Sequence, residues 1–293
     1  MVPLLRDETT ARLKKLQLTA RVIVEGFLIG LHKSPYHGFS VEFSDHRQYN
    51  PGEPLRDIDW KIAAKTERYY IKRYEEETNL RSYIILDHSK SMFFRSHDVA
   101  KIDYATELSA SIAWLMMSQK DAVGLITFNR EITNKLVPKA YRGYLSQIFE
   151  VLVRLEPKDS TDLFTNLTRI AETIRKRSLI IIISDLLDEP EKIINALKQF
   201  RYRHHEVLVF HLTDPQEEQF GFKHETRFVD SESGEKITVT PWQIRKEYLE
   251  NFHHHIDYLK AECHQAQIEY IPCTTSTPVA DLLLRYLSKR AKG

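Results

Sequence analysis

The chain has 293 residues, of which 42% are hydrophobic and 28% are charged, and its formal net charge is +1. This balance supports a packed core and excludes a disordered chain. The small net charge, with no long block of one sign, argues against a dedicated nucleic-acid or anionic-membrane binder.

Two further features bear on the compartment. The longest purely aliphatic run, residues 179–183, is too short to span a bilayer, and charged side chains interrupt the N-terminal region where a signal peptide would have its apolar core. Cys263 and Cys273 do not make a disulfide framework. We therefore predict a cytoplasmic protein without membrane insertion.

The first 80 residues change character along their length. Apolar residues at helical spacing over residues 4–31 predict one or two amphipathic packing helices. Residues 32–80 mix aromatics, glycines and charges, and the alternation at 40–43 and 69–74 predicts short antiparallel strands. The charges in this region are either internal ion pairs or a recognition surface.

After residue 80, strand patterns alternate with helix patterns. Continuous apolar strands separated by amphipathic helices predict an α/β fold, with a mostly parallel sheet covered by helices on both faces. Strands are expected at residues 83–86, 122–128, 132–137, 179–184, 206–212 and 268–271, with a hairpin at 227–230 and 236–240. Helices are expected at residues 98–117, 144–155, 163–176, 189–202, 241–265 and 279–289.

The stretch YIILDHSKSM at residues 83–92 is the most informative part of the chain. A buried strand ends at Asp87, and Ser89 and Ser91 follow at alternate positions. Ligands of open α/β sheets bind at the carboxyl ends of the strands. A carboxylate with two hydroxyls there is an all-oxygen site, which suits Mg²⁺ or Mn²⁺ and does not suit zinc.

Two later loops also place oxygen ligands at predicted strand or helix ends. Thr161 precedes a predicted helix, and Asp185 closes the strand at 179–184. Neighbouring strand ends lie about 5 Å apart, so these residues can meet Asp87. We predict that Asp87, Ser89, Ser91, Thr161 and Asp185 hold one divalent cation. With neutral hydroxyl ligands, that cation retains positive character and can accept a partner's carboxylate.

Other interpretations of these residues stay open. The serines after Asp87 are also typical of a helix cap. Alternatively, Asp162, Asp185 and Asp188 with His88 belong to a metal-dependent phosphoesterase, although no nucleophile or base can be assigned and no catalytic residue is predicted. Three consecutive histidines, 253–255, point in different directions on a helix and do not predict a zinc site.

The ordered set Asp87, Ser89, Ser91, Thr161 and Asp185 resembles the metal-ion-dependent adhesion site of von Willebrand factor type A domains. Those domains carry D-x-S-x-S, then Thr, then Asp. The resemblance covers residue 81 to the C-terminus. It implies a von Willebrand factor A-like, Rossmann-like domain that binds proteins through a divalent cation.

The upstream motifs resemble the bacterial "domain of unknown function 58" family. They stand here as GFSVEF (38–43), RQYNPGE (47–53), RDIDWK (56–61) and LDHSKSM (86–92). The resemblance implies an N-terminal helix and β-rich module at 1–80 ahead of the A-like domain at 81–293. It also implies a non-catalytic interaction protein whose partners are a MoxR-type AAA+ ATPase and an unknown client.

Overall fold

The computed structural model describes residues 3–32, 47–48, 70–71, 80–141, 143–156, 162–222, 224–229 and 236–290. A central sheet is built from β3 (Arg81–Asp87), β4 (Ala122–Phe128), β5 (Ile132–Lys139), β6 (Leu179–Ser184), β7 (Glu206–Thr213) and β10 (Glu269–Thr274). Their order across the sheet is β10-β7-β6-β3-β4-β5. All neighbouring strands in it are parallel except β4 and β5.

Helices cover both faces of this sheet. One apolar cluster joins Leu86 of β3 to α1 (Pro3–His32), α2 (Lys101–Ser118), α3 (Tyr144–Val153) and α8 (Val279–Arg290). A second cluster joins Ile85 of β3 to α4 (Leu163–Thr173), α5 (Pro190–Tyr202) and α7 (Pro241–Gln265). Successive residues of a strand point to opposite faces, so a strand buried on both sides needs a continuous apolar run. The predicted mostly parallel sheet with helices on both faces is confirmed.

The edge strand β5 is half-buried on one face only. Its residues alternate between half-buried and exposed, as expected for a strand with one face toward solvent. Its backbone approaches β4 closely at Gly124, where an added Cβ would lie 2.5 Å from the carbonyl oxygen of Leu136. Glycine at this position permits the irregular pairing of β4 with β5.

Smaller elements complete the described chain. A 3₁₀ turn, Lys90–Phe93, follows β3, and a short helix α6, Pro215–Gln219, follows β7. Strands β8, Thr226–Val229, and β9, Lys236–Val239, form the predicted antiparallel hairpin. Near the N-terminus, β1, Arg47–Gln48, pairs antiparallel with β2, Tyr70–Ile71. The strand predicted at 40–43 lies outside the described residues.

Several boundaries differ from the sequence predictions. The N-terminal periodic segment is one helix, α1, which packs against α2, α3 and α8. Helix α2 begins at Lys101 instead of residue 98, and in the preceding loop the backbone N–H of Ser96 donates to the buried Asp214 at 2.9 Å. The domain division at residue 80 stays a prediction.

No helix in the described ranges is long and apolar enough to cross a membrane.

Candidate functional site

The parallel register of β3 and β6 places two aspartates at one edge of the sheet. Leu86 lies opposite Ile183, so Asp87 is level with Ser184, and Asp185 follows directly. Asp87 is 0% exposed and Asp185 is 2% exposed. Both predicted carboxylate ligands therefore lie buried at the carboxyl ends of adjacent strands.

Hydrogen bonds fix the carboxylate of Asp87. Its Oδ1 accepts from the backbone N–H of Ser89 at 2.9 Å, and its Oδ2 accepts from the hydroxyl of Ser184 at 2.8 Å. The Ser184 hydroxyl also accepts from the backbone N–H of Leu186 at 3.0 Å. These bonds join the ends of β3 and β6 and hold the orientation of Asp87.

The two serines of the motif lie beside this carboxylate. The hydroxyl oxygens of Ser89 and Ser91 are 3.1 Å apart, with Ser89 buried and Ser91 half-buried. The alternation of the motif brings both hydroxyls together, because the chain is still extended at Ser89 before the 3₁₀ turn. One carboxylate and two hydroxyls thus share one side of the turn.

The charge on Asp87 is poorly compensated. Burial, followed by the neighbouring Asp185 carboxylate, raises the pKa of Asp87 to about 7, against hydrogen bonds from Ser89 and Ser184. Asp185 Oδ1 is buried and has no hydrogen-bond partner among the described residues. Two buried carboxylates with an unpaired oxygen are the arrangement that a bound cation would stabilise.

On its far side, Asp185 meets a buried lysine. The ammonium of Lys101 donates to Asp185 Oδ2 at 2.8 Å and to Glu217 Oε1 at 2.6 Å. Burial opposes the charge on Lys101, but the two carboxylates outweigh burial and raise the pKa of its ammonium. The ion pair connects the first turn of α2 to α6.

Thr161, the remaining predicted ligand, lies outside the described residues. Its neighbour Asp162 is the N-cap of α4 and accepts from the backbone N–H of Thr165 at 3.0 Å. The amide of Asn166 donates to the backbone carbonyls of Asp162 and Asn129, both at 2.9 Å. The start of α4 therefore lies beside the carboxyl end of β4, at the same sheet edge as Asp87.

The residues of the phosphoesterase alternative have structural partners. The His88 ring bonds the Thr133 hydroxyl at 2.8 Å and the Glu156 carbonyl at 3.4 Å. Asp162 caps α4, and Asp188 accepts from the backbone N–H of Glu189 at 2.7 Å. None of these side chains is placed as a general base, so that alternative stays a prediction without support from this geometry.

Metal binding by other residue types finds no support in the described ranges. No group of three or more histidine, cysteine, aspartate or glutamate side chains there is placed to hold a metal ion. Cys263 and Cys273 are buried in apolar clusters on opposite faces of the sheet. A cation at Asp87 would therefore depend on serine hydroxyls and water in addition to carboxylates.

Sequence reasoning missed Lys101 and Glu217 as parts of this site, whereas Ser184, beside Asp185 at the end of a predicted strand, belongs to a stretch already expected to carry oxygen ligands. Lys101 carried no signal, because the helix was expected to begin at residue 98 and Asp103 in the first turn of α2 already offsets a cation there. Glu217 carried none either, because its partner is 116 residues away.

Residues 45–257 match the model of the family described as "Protein of unknown function DUF58". The chain belongs to this family. The predicted membership is confirmed.

The chain is also similar to two curated relatives and two solved structures. The uncharacterised proteins Rv1480 of Mycobacterium tuberculosis and Mb1516 of Mycobacterium bovis are each 25% identical to the chain over 227 residues, covering 76% of it and 71% of their own length. BatB of Bacteroides thetaiotaomicron is 15% identical with a TM-score of 0.49, covering 73% of this chain and all of that one. The SpRpn10 VWA domain is 13% identical with a TM-score of 0.38, covering 69% of this chain and 92% of its own.

Proposed function

We propose that this protein is a non-catalytic interaction module that binds an acidic side chain of its partner through one Mg²⁺ or Mn²⁺ ion. Asp87, Ser89, Ser91, Thr161 and Asp185 would hold the ion, directly or through water. When bound, the ion supplies positive charge that attracts a carboxylate from another protein.

The main support for this proposal is the state of the two aspartates. Asp87 and Asp185 are buried beside each other, and Asp185 Oδ1 has no hydrogen-bond partner in the described part of the chain. A buried carboxylate oxygen without a partner is unfavourable, even with Lys101 bonded to the other oxygen of Asp185, so a site that retains one is a candidate for cation binding. The adjacent hydroxyls of Ser89 and Ser91 add neutral oxygen ligands of the kind Mg²⁺ accepts.

A non-catalytic role is favoured because the histidines described near these oxygens, His88 and His211, already bond other groups. His88, the only histidine in the motif, is engaged by Thr133 and Glu156. Among the charged side chains described at the site, Lys101 is paired with Asp185 and Glu217. Binding without turnover accounts for this arrangement with fewer assumptions than a hydrolytic reaction.

The partner that we propose is a MoxR-type AAA+ ATPase, together with a client complex that it assembles or activates. This part of the proposal is supported by the family motifs of the N-terminal third.

Isothermal titration calorimetry with Mg²⁺ and Mn²⁺ tests the ion site. The wild-type protein should bind one ion, and Asp87→Ala should abolish binding while circular dichroism shows an intact fold. Asp188→Ala is the matched control, because Asp188 lies on the same loop as Asp185 but only bonds the adjacent backbone. Absence of binding by the wild type, or equal binding by Asp87→Ala, would reject the ion site.

A pull-down from native lysate tests the partner. Wild-type protein and Asp188→Ala should retain an AAA+ ATPase in the presence of Mg²⁺ and lose it with a chelator. Asp87→Ala should retain none in either condition. Retention that ignores both the chelator and Asp87 would show that the partner binds elsewhere on the protein.

A further inference from the structure

Lys101 occupies a position that is unfavourable for a charged side chain. Its side chain is 0% exposed, and it begins α2, where the exposed N–H groups of the helix repel cations. A lysine buried there without partners would be expected to lose its proton. The carboxylates of Asp185 and Glu217 keep it charged, with the ring of Phe94 5.9 Å from the ammonium.

The lysine makes the environments of the two Asp185 carboxylate oxygens different. Oδ2 receives the ammonium at 2.8 Å, whereas Oδ1 has no hydrogen-bond partner among described residues. Only Oδ1 is therefore left for a cation, directly or through water. A positive charge fixed on the other oxygen of the same carboxylate weakens the attraction of that carboxylate for a second positive charge.

Glu217 determines how strongly the Lys101 ammonium weakens the attraction of Asp185 for a cation. Its Oε1 accepts from Lys101 at 2.6 Å, and its Oε2 accepts from the backbone N–H of Asp214 at 2.7 Å. The carbonyl of the same residue accepts from the hydroxyl of Tyr248 at 3.0 Å. Glu217 is thus held rigidly against the ammonium and offsets part of its charge.

We propose that Lys101 is an internal counterion that lowers the affinity of the Asp87–Asp185 site for a divalent cation, with Glu217 moderating its charge. This inference rests on the proposed ion site. The lysine keeps the cation-free protein folded, because it compensates Asp185 when no ion is present. It also keeps the ion exchangeable, since the ion and the ammonium repel each other through a poorly solvated carboxylate.

Titration calorimetry with Mn²⁺ alone as the probe tests this assignment. Lys101→Met removes the ammonium and should bind Mn²⁺ at least about tenfold more tightly than wild type, because a nearby charge in a poorly solvated site acts strongly. Lys101→Arg keeps the charge and should stay within about threefold of wild type. Glu217→Gln leaves the ammonium less compensated and should weaken binding by about threefold to tenfold.

Each result bears on the inference. Equal or weaker binding by Lys101→Met than by wild type would overturn it, since a residue that only positions Asp185 would lose affinity when truncated. If Lys101→Met does not fold, Glu217→Gln decides, and unchanged or tighter binding by that variant overturns the inference. Binding by Lys101→Met but not by wild type would reject the proposed ion function and support the counterion. Absence of binding by every variant would overturn both.

Discussion

Replacing Asp87 with asparagine should stabilise the cation-free protein at alkaline pH. Asparagine has nearly the same shape as aspartate but carries no charge. Its amide oxygen can still accept from the backbone N–H of Ser89, as Asp87 Oδ1 does at 2.9 Å. The substitution therefore removes the buried charge while retaining the turn.

The magnitude follows from the raised pKa of Asp87. The folded protein has a pKa of about 7 for this group, against an ordinary value of 3.8. The folded state therefore binds more protons than the unfolded chain between these values, and stability falls as pH rises through this window. With each unit equal to about 1.4 kcal/mol, the ionised carboxylate costs about 4 kcal/mol near pH 8.

Urea denaturation in a chelator measures this effect. Because the amide cannot restore the hydrogen bond from Ser184 with the same geometry, we expect Asp87→Asn to be about 2–4 kcal/mol more stable than wild type near pH 8. The difference in free energy of unfolding between the variant and wild type should be smaller by about 2–3 kcal/mol near pH 5, where wild-type Asp87 is protonated in the folded state. Asp188→Asn, on the loop of Asp185 and only half-buried, serves as the control and should change little.

Two results would refute this reasoning. A variant no more stable than wild type near pH 8 would mean that the carboxylate is already compensated without a cation. A stability difference independent of pH would mean that asparagine acts through packing and not through charge. With saturating Mg²⁺ the order should reverse, because only the wild type gains stability from the ion.

Three further substitutions test other parts of the structure. Ser184→Ala should lower the free energy of unfolding by about 1–3 kcal/mol in urea denaturation, because the backbone N–H of Leu186 loses its acceptor while Asp87 loses a donor. Burial lowers the pKa of His211 to about 4, so this group alone should destabilise the wild type by about 3 kcal/mol as pH drops from 6.5 toward 4, against the opposite contribution of Asp87. His211→Asn should therefore gain stability relative to wild type over that pH range in the same assay. Gly124→Ala should lower the melting temperature measured by circular dichroism, because its Cβ would lie 2.5 Å from the carbonyl oxygen of Leu136.

The central strands could be predicted from sequence because they are buried on both faces. For β4 and β6 the predicted and observed limits coincide, Ala122–Phe128 and Leu179–Ser184. A continuous apolar run bounded by polar residues leaves one solution for such a strand. The edge strand β5 was predicted two residues short, at 137 instead of Lys139, because an exposed face imposes no apolar limit.

The pairing of Asp87 with Asp185 was also accessible from sequence. Each closes an apolar run, and parallel strands end at the same sheet edge. The order of the strands still had to be inferred, and the structure has β6 directly beside β3. Short elements such as α6 could not be predicted, because its capping box at Asp214 and Glu217 acts over a single turn.

Lys101 shows where reasoning from local sequence stops. The partners of its ammonium lie 84 and 116 residues away, and only the packed sheet brings Asp185 and Glu217 to α2. A buried site with more carboxylates than ammonium groups is costly, and Asp87 carries most of the uncompensated charge. The favourable packing of the strands beneath Asp87 offsets the free energy lost by burying this charge, whereas an isolated loop would have no such packing. Under the proposed function, a cation entering at this edge would stabilise the fold and complete the partner-binding surface, so occupancy and partner binding should be linked.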